Sequence, residues 1–316
     1  MCANFTRRQF IKTSALASAG LLVGCSVTNV FDILIKNGQI VDGLLTSPFA
    51  ADIGIIKDKI AAIGQLGNAS ADTIIDAGNN IVAPGFIDIH THTDLELLVD
   101  PKAQSKIHQG VTTEVGGNCG YTTFPLSEND YKDLEEEYLE KYNYQINWHT
   151  IESFFEVLEN QKISVNYATL TGHGKLRSYA VGKNDEQPTS EQLETMKNEL
   201  VRTMEAGSFG LSTGLEYPPG SFAKTDELIE LSRVAAKYDG LYSSHIRNED
   251  DTVEEAIEEA LKICRDAEIS LQISHLKACN KNNWHKVDHM LEMISQASNS
   301  GLPVHADRYP YDAWST

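Results

Sequence analysis

Two histidines one residue apart close a short apolar run, Ala83-Pro84-Gly85-Phe86-Ile87-Asp88-Ile89-His90-Thr91-His92. If the run is a strand, side chains alternate in period two, so His90 and His92 leave the same face and can chelate a borderline metal such as zinc. More ligand-type residues follow, each at the end of an apolar run. Cys119 sits in Gly116-Gly117-Asn118-Cys119-Gly120, His245 in Ser243-Ser244-His245-Ile246-Arg247-Asn248-Glu249, and His275 in Ser274-His275-Leu276-Lys277. A mixed imidazole and thiolate set suits zinc with one position left for water. A lone His245 or His275 reads first as a satisfied core histidine. Two of them at equivalent strand ends, with a cysteine, favour the metal.

Several other residues stand where they could line the same mouth. Lys277 lies two positions beyond His275 and shares its strand face. His173 and Arg177 follow a third strand, and Tyr217 in Glu216-Tyr217-Pro218-Pro219-Gly220 follows a fourth. The remaining histidines, His108, His149, His285, His289 and His305, read as structural.

Placing these residues at one mouth requires a particular scaffold. From Pro84 onward short apolar runs alternate with helical patterns: strands are expected at 86–90, 111–115, 165–171, 210–213, 241–246, 271–275 and 304–309. Helices with a 3.6-residue apolar rhythm are expected at 188–206, 226–238 (capped by Thr225), 251–267 and 284–298. Strands joined by crossover helices form a parallel sheet, and this many repeats predict an α/β fold of the closed (β/α) TIM-type barrel, whose strand ends converge on one face. An open doubly wound sheet is the alternative, but no glycine-rich dinucleotide or phosphate loop follows any strand. The long insertion 121–162 carries an acidic helix, Asp130 to Lys141. It reads as a solvated helix face, or functionally as a lid. Ahead of the barrel, 26–83 reads as short strands and turns, a small N-terminal β domain.

Of the 316 residues, 41% are hydrophobic and 22% charged, which is globular composition, and the formal charge is −19. Such acidity argues against nucleic-acid partners. Residues 1–25 read as an export leader: Arg7-Arg8 is of the twin-arginine type, an apolar run from Ala15 to Val23 follows, and Leu22-Val23-Gly24-Cys25 resembles a lipobox. The leader predicts a periplasmic protein or a bacterial lipoprotein anchored through Cys25, with membrane contact only through that anchor. Loss of Arg7, Arg8 and Lys12 with the leader takes the charge to −22. The three later cysteines, Cys119, Cys264 and Cys279, cannot all pair, so no disulfide framework is expected.

Taken together, Pro84 to His92, Gly117-Asn118-Cys119-Gly120, His245 to Glu249, Ser274 to Lys277 and Tyr309-Pro310-Tyr311 resemble the N-acyl-D-amino-acid deacylases (D-aminoacylases) of the amidohydrolase superfamily. The resemblance covers roughly residue 32 to the end. It implies a (β/α)8 barrel with a small β-sandwich domain built from both chain ends, a tightly held zinc at Cys119, His245 and His275, and a second, weaker metal site at His90 and His92. It also implies that Lys277, Tyr309 and Ser315 contact a small-molecule N-acyl-D-amino acid, although Trp314 stands where the family has glycine. The family's catalytic aspartate ends strand eight. No such residue precedes Thr316, so it is expected beyond that point, in a barrel lacking its last strand over 84–316. A naturally short inactive form is the alternative. The expected activity is zinc-dependent hydrolysis of the amide of N-acyl-D-amino acids. A cyclic-amide hydrolase or dipeptidase-like enzyme is a second possibility. It would be favoured by a lysine on strand four, which 209–214 lacks. A non-catalytic lipid-anchored binding protein is a third. Acyl group, D-side chain and oligomeric state stay open.

Overall fold

A computed structural model describes residues 30–44 and 47–313. The leader, Cys25, Trp314 and Ser315 lie outside the described residues. The chain divides into two compact units between Pro84 and Gly85.

The first unit is one mixed sheet. β1 (Val30–Ile40) pairs antiparallel with β2 (Phe49–Ile56), which pairs with β3 (Lys59–Gly64). On its other side β1 runs parallel to β4 (Ser70–Asp76) and to the short β5 (Ile81–Val82). Ile40, Ala51 and Ile53 share one buried face, and Phe31 and Leu34 are buried as well. The expected sandwich has two sheets, whereas these described residues form one. Ile60, Ile63, Ile74 and Ile75 stay exposed on it.

The second unit alternates parallel strands with helices, the TIM-barrel type of arrangement. β6 (Phe86–Asp88), β7 (Val111–Gly116) and β8 (Asn166–Thr169) form one parallel run. β9 (Thr171–Gly172), β10 (Gly210–Gly214), β11 (Leu241–His245), β12 (Ser270–Ile273) and β13 (Val304–Ala306) form another in that spatial order. β8 and β9 are separated by Leu170 alone, so the expected third strand is broken at one residue. The strands stand as two runs and not as one closed ring. β6 is shorter than predicted, and His90 and His92 lie past its end.

The short helices α1 (Glu96–Val99) and α2 (Gln104–Ile107) link β6 to β7. The insertion after β7 holds α3 (Glu128–Tyr142) and α4 (Ile151–Gln161). These pack with the 95–103 segment around a core of their own, including Phe124, Leu134, Tyr138, Trp148 and Phe154. One face of the acidic helix α3 is thus buried, although its glutamates are solvated. α5 (His173–Ala180) and α6 (Ser190–Glu205) lie between β9 and β10, α7 (Thr225–Ala236) precedes β11, α8 (Val253–Ala267) precedes β12, and α9 (Val287–Asn299) precedes β13. Their apolar stripes (Met196 and Leu200, Leu228 and Leu231, Ile257 and Leu261) cover Leu211, Tyr242 and Leu271 of the sheet. α6 begins with a capping box between Thr189 and Gln192, which satisfies first-turn N–H groups. Thr225 does not cap α7. It is the first helical residue, and its hydroxyl donates to Glu259 Oε1 at 2.7 Å.

Candidate metal centre

Cys119 is delivered by a turn whose backbone few sequences can follow. Gly117, Cys119 and Gly120 have φ of 71°, 52° and 74°. The turn packs so tightly that a Cβ on Gly214 would come within 2.2 Å of the Cys119 carbonyl oxygen. Ser212, fully buried on β10, pins both ends of the turn: its hydroxyl donates to the Gly117 carbonyl and accepts the Gly120 N–H at 3.1 Å. His275 is also left-handed, at φ 37°. Non-glycine residues rarely hold such angles unless their surroundings enforce them.

Three imidazoles face the thiol or one another. Cys119 Sγ lies 3.3 Å from His90 Nε2 and 3.5 Å from His275 Nε2, and His275 Nε2 lies 2.9 Å from His245 Nδ1. Behind each ring stands a carboxylate. Glu249 Oε1 is 2.8 Å from His275 Nδ1, Glu216 Oε2 is 3.4 Å from His245 Nε2, and Asp307 Oδ1 is 3.4 Å from His90 Nδ1. A carboxylate at the outer nitrogen fixes the ring and leaves the inner nitrogen's lone pair facing inward, the arrangement found behind metal-binding histidines.

Donor chemistry tests whether a cation fits. With the outer nitrogens turned to their carboxylates, the inner ones face inward, His245 Nδ1 lying 2.9 Å from His275 Nε2 and 3.0 Å from the Tyr217 hydroxyl, and this nitrogen and thiol donor chemistry suits a borderline cation. Two donor sets lie within metal-binding reach, His90–Cys119–His275 and His245–Glu249–His275, and they share His275. Burial, followed by the charges of Asp307 and Glu249, pushes the Cys119 thiol up to about 12. Burial holds His245 down at about 3. Without a cation Cys119 is therefore a thiol and His245 a neutral imidazole. A soft or borderline divalent ion would draw off the thiol proton.

The structure distributes the predicted residues unevenly. The expected trio of Cys119, His245 and His275 is not one donor set among the described residues: Cys119 and His275 group with His90, expected in the weaker site, and His245 joins His275 together with Glu249. His92 is exposed and outside both donor sets, its ring 5.4 Å from that of His90. Lys277 is near the centre, with Nζ 2.5 Å from Glu249 Oε2 and 5.7 Å from the Tyr309 ring. The Tyr217 hydroxyl is 3.0 Å from His245 Nδ1. His173 does not reach the mouth. It is fully buried, with Nε2 2.8 Å from Glu227 Oε1, while Arg177 Nη1 donates to Glu227 Oε2 at 2.6 Å. These three form an internal charge cluster, so Arg177 cannot meet a substrate.

Sequence reasoning passed over Glu249, Glu216 and Asp307. Glu249 lies four residues past His245 inside a stretch already singled out. Asp307 follows β13 directly, the offset at which the other strand ends place their polar residues. That positional rule could have found it.

Residues 73–310 match a family model described as the amidohydrolase family. The chain is 40% identical over 287 residues to the N-acyl-D-glutamate deacylase of Alcaligenes xylosoxydans xylosoxydans, covering 90% of this chain and 58% of that protein. It is 36% identical over 286 residues to the D-aminoacylase of the same organism, again covering 90% and 58%. Among solved structures, N-acyl-D-glutamate deacylase from Bordetella bronchiseptica, complexed with zinc and a phosphonate mimic of the tetrahedral intermediate, superposes with a TM-score of 0.83 at 38% identity, covering 90% of this chain and 59% of that one. The chain thus spans a little under three fifths of the relatives it matches.

Proposed function

This chain belongs to the amidohydrolase family, and we propose that it hydrolyses the amide bond of N-acyl-D-amino acids with a zinc ion held by Cys119, His275 and His90, one position being left for water, and with His245 in the adjoining donor set that shares His275. The carrying observation is a cysteine faced by His90 and His275, with His245 against His275 and a carboxylate behind each of the three rings. Similarity to two deacylases of acylated D-amino acids, and to a zinc-bound solved structure, supports the substrate class and the metal.

Bound there, zinc supplies Lewis acidity toward a carbonyl and acidifies water. The protein's own groups do the positioning. Glu249, Glu216 and Asp307 hold the outer ring nitrogens, so the inner faces stay fixed during turnover. Lys277 Nζ lies 2.5 Å from Glu249 Oε2, 2.9 Å from His275 Nδ1 and 3.2 Å from the His275 carbonyl oxygen, so a substrate carboxylate would take over one of these contacts while meeting its positive charge. Tyr309 beside it, and Ser315, would complete that contact. Burial, then Cys119 and Glu249, raise the Tyr217 hydroxyl above the ordinary phenol range. It therefore remains a donor at neutral pH, placed to bond the scissile carbonyl oxygen. The leader gives the reading a compartment outside the cytoplasm. Palmitate labelling lost in Cys25→Ser would support it.

The test is zinc per chain together with release of free D-amino acid from paired N-acetyl-D- and N-acetyl-L-amino acids. It uses the chain and the complete reading frame that encodes it. Zinc at about one per chain and D-selective release support the proposal. Zinc without D-selective release from either form removes it. Release from cyclic amides would point to the hydantoinase-like alternative.

A further inference from the structure

Beside Cys119 and Tyr217 opens a cavity of about 420 Å³. That volume falls in the range of roughly 300–1,000 Å³ typical of small-molecule sites. It exceeds what an acetyl group fills. One end is the metal centre's edge, Cys119, Gly214 and Tyr217. The other is polar, lined by Lys175 and Ser178 of α5, Lys183, and Asp130 of α3.

Two lysines and two carboxylates, Asp133 included, meet at the polar end, but not all of them are in contact. Asp130 accepts from the hydroxyls of Ser127 at 2.7 Å and Ser178 at 3.0 Å, and Lys183 lies 3.5 Å from it. Lys183 is itself held by Asp133 at 2.8 Å. Lys175 has no hydrogen bond or ion pair among the described residues. Its Nζ lies 5.2 Å from the centre of the Tyr121 ring. Burial outweighs the attraction of Asp130 and holds the Lys175 ammonium below its ordinary range. A half-buried ammonium with a ring on one side, a cavity on the other and no carboxylate in contact keeps N–H donors for an anion that enters the cavity.

Topology indicates which part of a substrate supplies it. In the order β13-β12-β11-β10-β9, Lys277 and Tyr309 follow β12 and β13, whereas the cavity is lined from the ends of β10 and β9. His245 stands between them on β11. A trans amide throws its two substituents to opposite sides of the C–N bond. With the amino acid's carboxylate at Lys277, the acyl chain runs toward β10 and β9.

We propose that this cavity receives the acyl portion of the substrate and that Lys175 selects acyl groups ending in a carboxylate, that is, D-amino acids acylated by a short dicarboxylic acid. The proposal rests on the deacylase reading and adds the acyl specificity to it.

The experiment measures kcat/KM for the N-acetyl and N-succinyl derivatives of D-leucine and D-glutamate, in wild type, Lys175→Met and Lys175→Arg, with zinc content checked in each. Binding of succinate alone is followed by calorimetry. Wild type should prefer succinyl over acetyl at least tenfold with either amino acid. Lys175→Met should lose that preference through KM at unchanged zinc content, and Lys175→Arg should keep most of it. A change in the D-glutamate to D-leucine ratio, with the acyl ratio intact, would show that the cavity holds the side chain and overturn the proposal. So would unchanged ratios in Lys175→Met. If zinc binds and nothing is turned over, the deacylase reading fails. Succinate binding that depends on Lys175 would then still support the anion site, and its absence would sink it.

Discussion

Glu249 holds His275 and Lys277 at once: Oε1 is 2.8 Å from His275 Nδ1, and Oε2 is 2.5 Å from Lys277 Nζ. One buried carboxylate therefore orients a metal-facing imidazole and the cation assigned to the substrate. Burial alone would raise its pKa, but hydrogen bonding and charge from His275, the charge of His245 and the Lys277 bond hold it below the ordinary glutamate range. Glu249→Gln should weaken zinc by about 10–100-fold, the usual effect of losing an outer partner. Chelator competition measures this. Undiminished affinity would remove Glu249 from that role.

Cys119→Ala should leave less than one tenth of the zinc seen in wild type at micromolar protein, because the remaining donors are neutral imidazoles. Metal analysis after gel filtration checks it. Full occupancy without the thiol would mean that the ligand set has been wrongly drawn.

Zinc binding should strengthen as pH rises. The thiol is held near 12 in the metal-free site, so at neutral pH it must lose its proton when the ion binds. His245, near 3, is already neutral and adds nothing to the slope. The thiol alone should make apparent affinity rise about tenfold per pH unit between pH 6 and 8, as its one proton is released per ion. A flat profile would contradict the thiolate as ligand.

Arg177→Met strands the buried carboxylate of Glu227 with His173 as its remaining partner. Breaking such a cluster costs about 3–5 kcal/mol, which thermal unfolding would register as a large drop in Tm. Burial pushes the Glu227 pKa up, but bonding and charge from His173 and Arg177 outweigh it and hold the pKa below 4.5. Its contribution is thus present above that pH and fades as the pH falls through the lower folded value. Adding Glu227→Gln to Arg177→Met should restore part of the stability and flatten that dependence. No recovery in the double variant would argue against charge as the cause.

Ser212→Ala removes the hydroxyl that joins Gly117 to Gly120 around Cys119. Two buried backbone groups lose their partner, at about 1–3 kcal/mol. Zinc affinity should fall with stability, because the turn presents the thiol. A loss of stability with zinc affinity intact would separate the turn from the metal.

Much of this arrangement was legible in the sequence, for identifiable reasons. The strand–helix alternation from Phe86 to Ala306 appears because buried parallel strands are short apolar runs and the covering helices carry 3.6-residue stripes. Cys119, His245 and His275 were visible because reactive side chains cluster after such strands. His173 misled because it follows β9 as His245 ends β11, but its side chain turns inward. Its partner Glu227 lies on α7, and nothing local in the sequence records that pairing. Lys175 was hidden for the opposite reason. A lysine on a helix reads as surface, and only the tertiary packing of Tyr121 and Asp130 encloses it. The single sheet at 30–82 could not be told from half a sandwich, since alternation marks a buried face without saying what buries it.

The core formed by Phe124, Leu134, Tyr138, Trp148 and Phe154 changes what the insertion after β7 is. Its contacts close mainly between Leu95 and Val165, near in sequence, so the chain-entropy cost of assembling it is small. Such a segment opens as one cooperative unit. Its amides should share one hydrogen-exchange protection level, whether or not metal is bound, and it would act as a fixed wall against which Lys175 is held, not as a cover that swings.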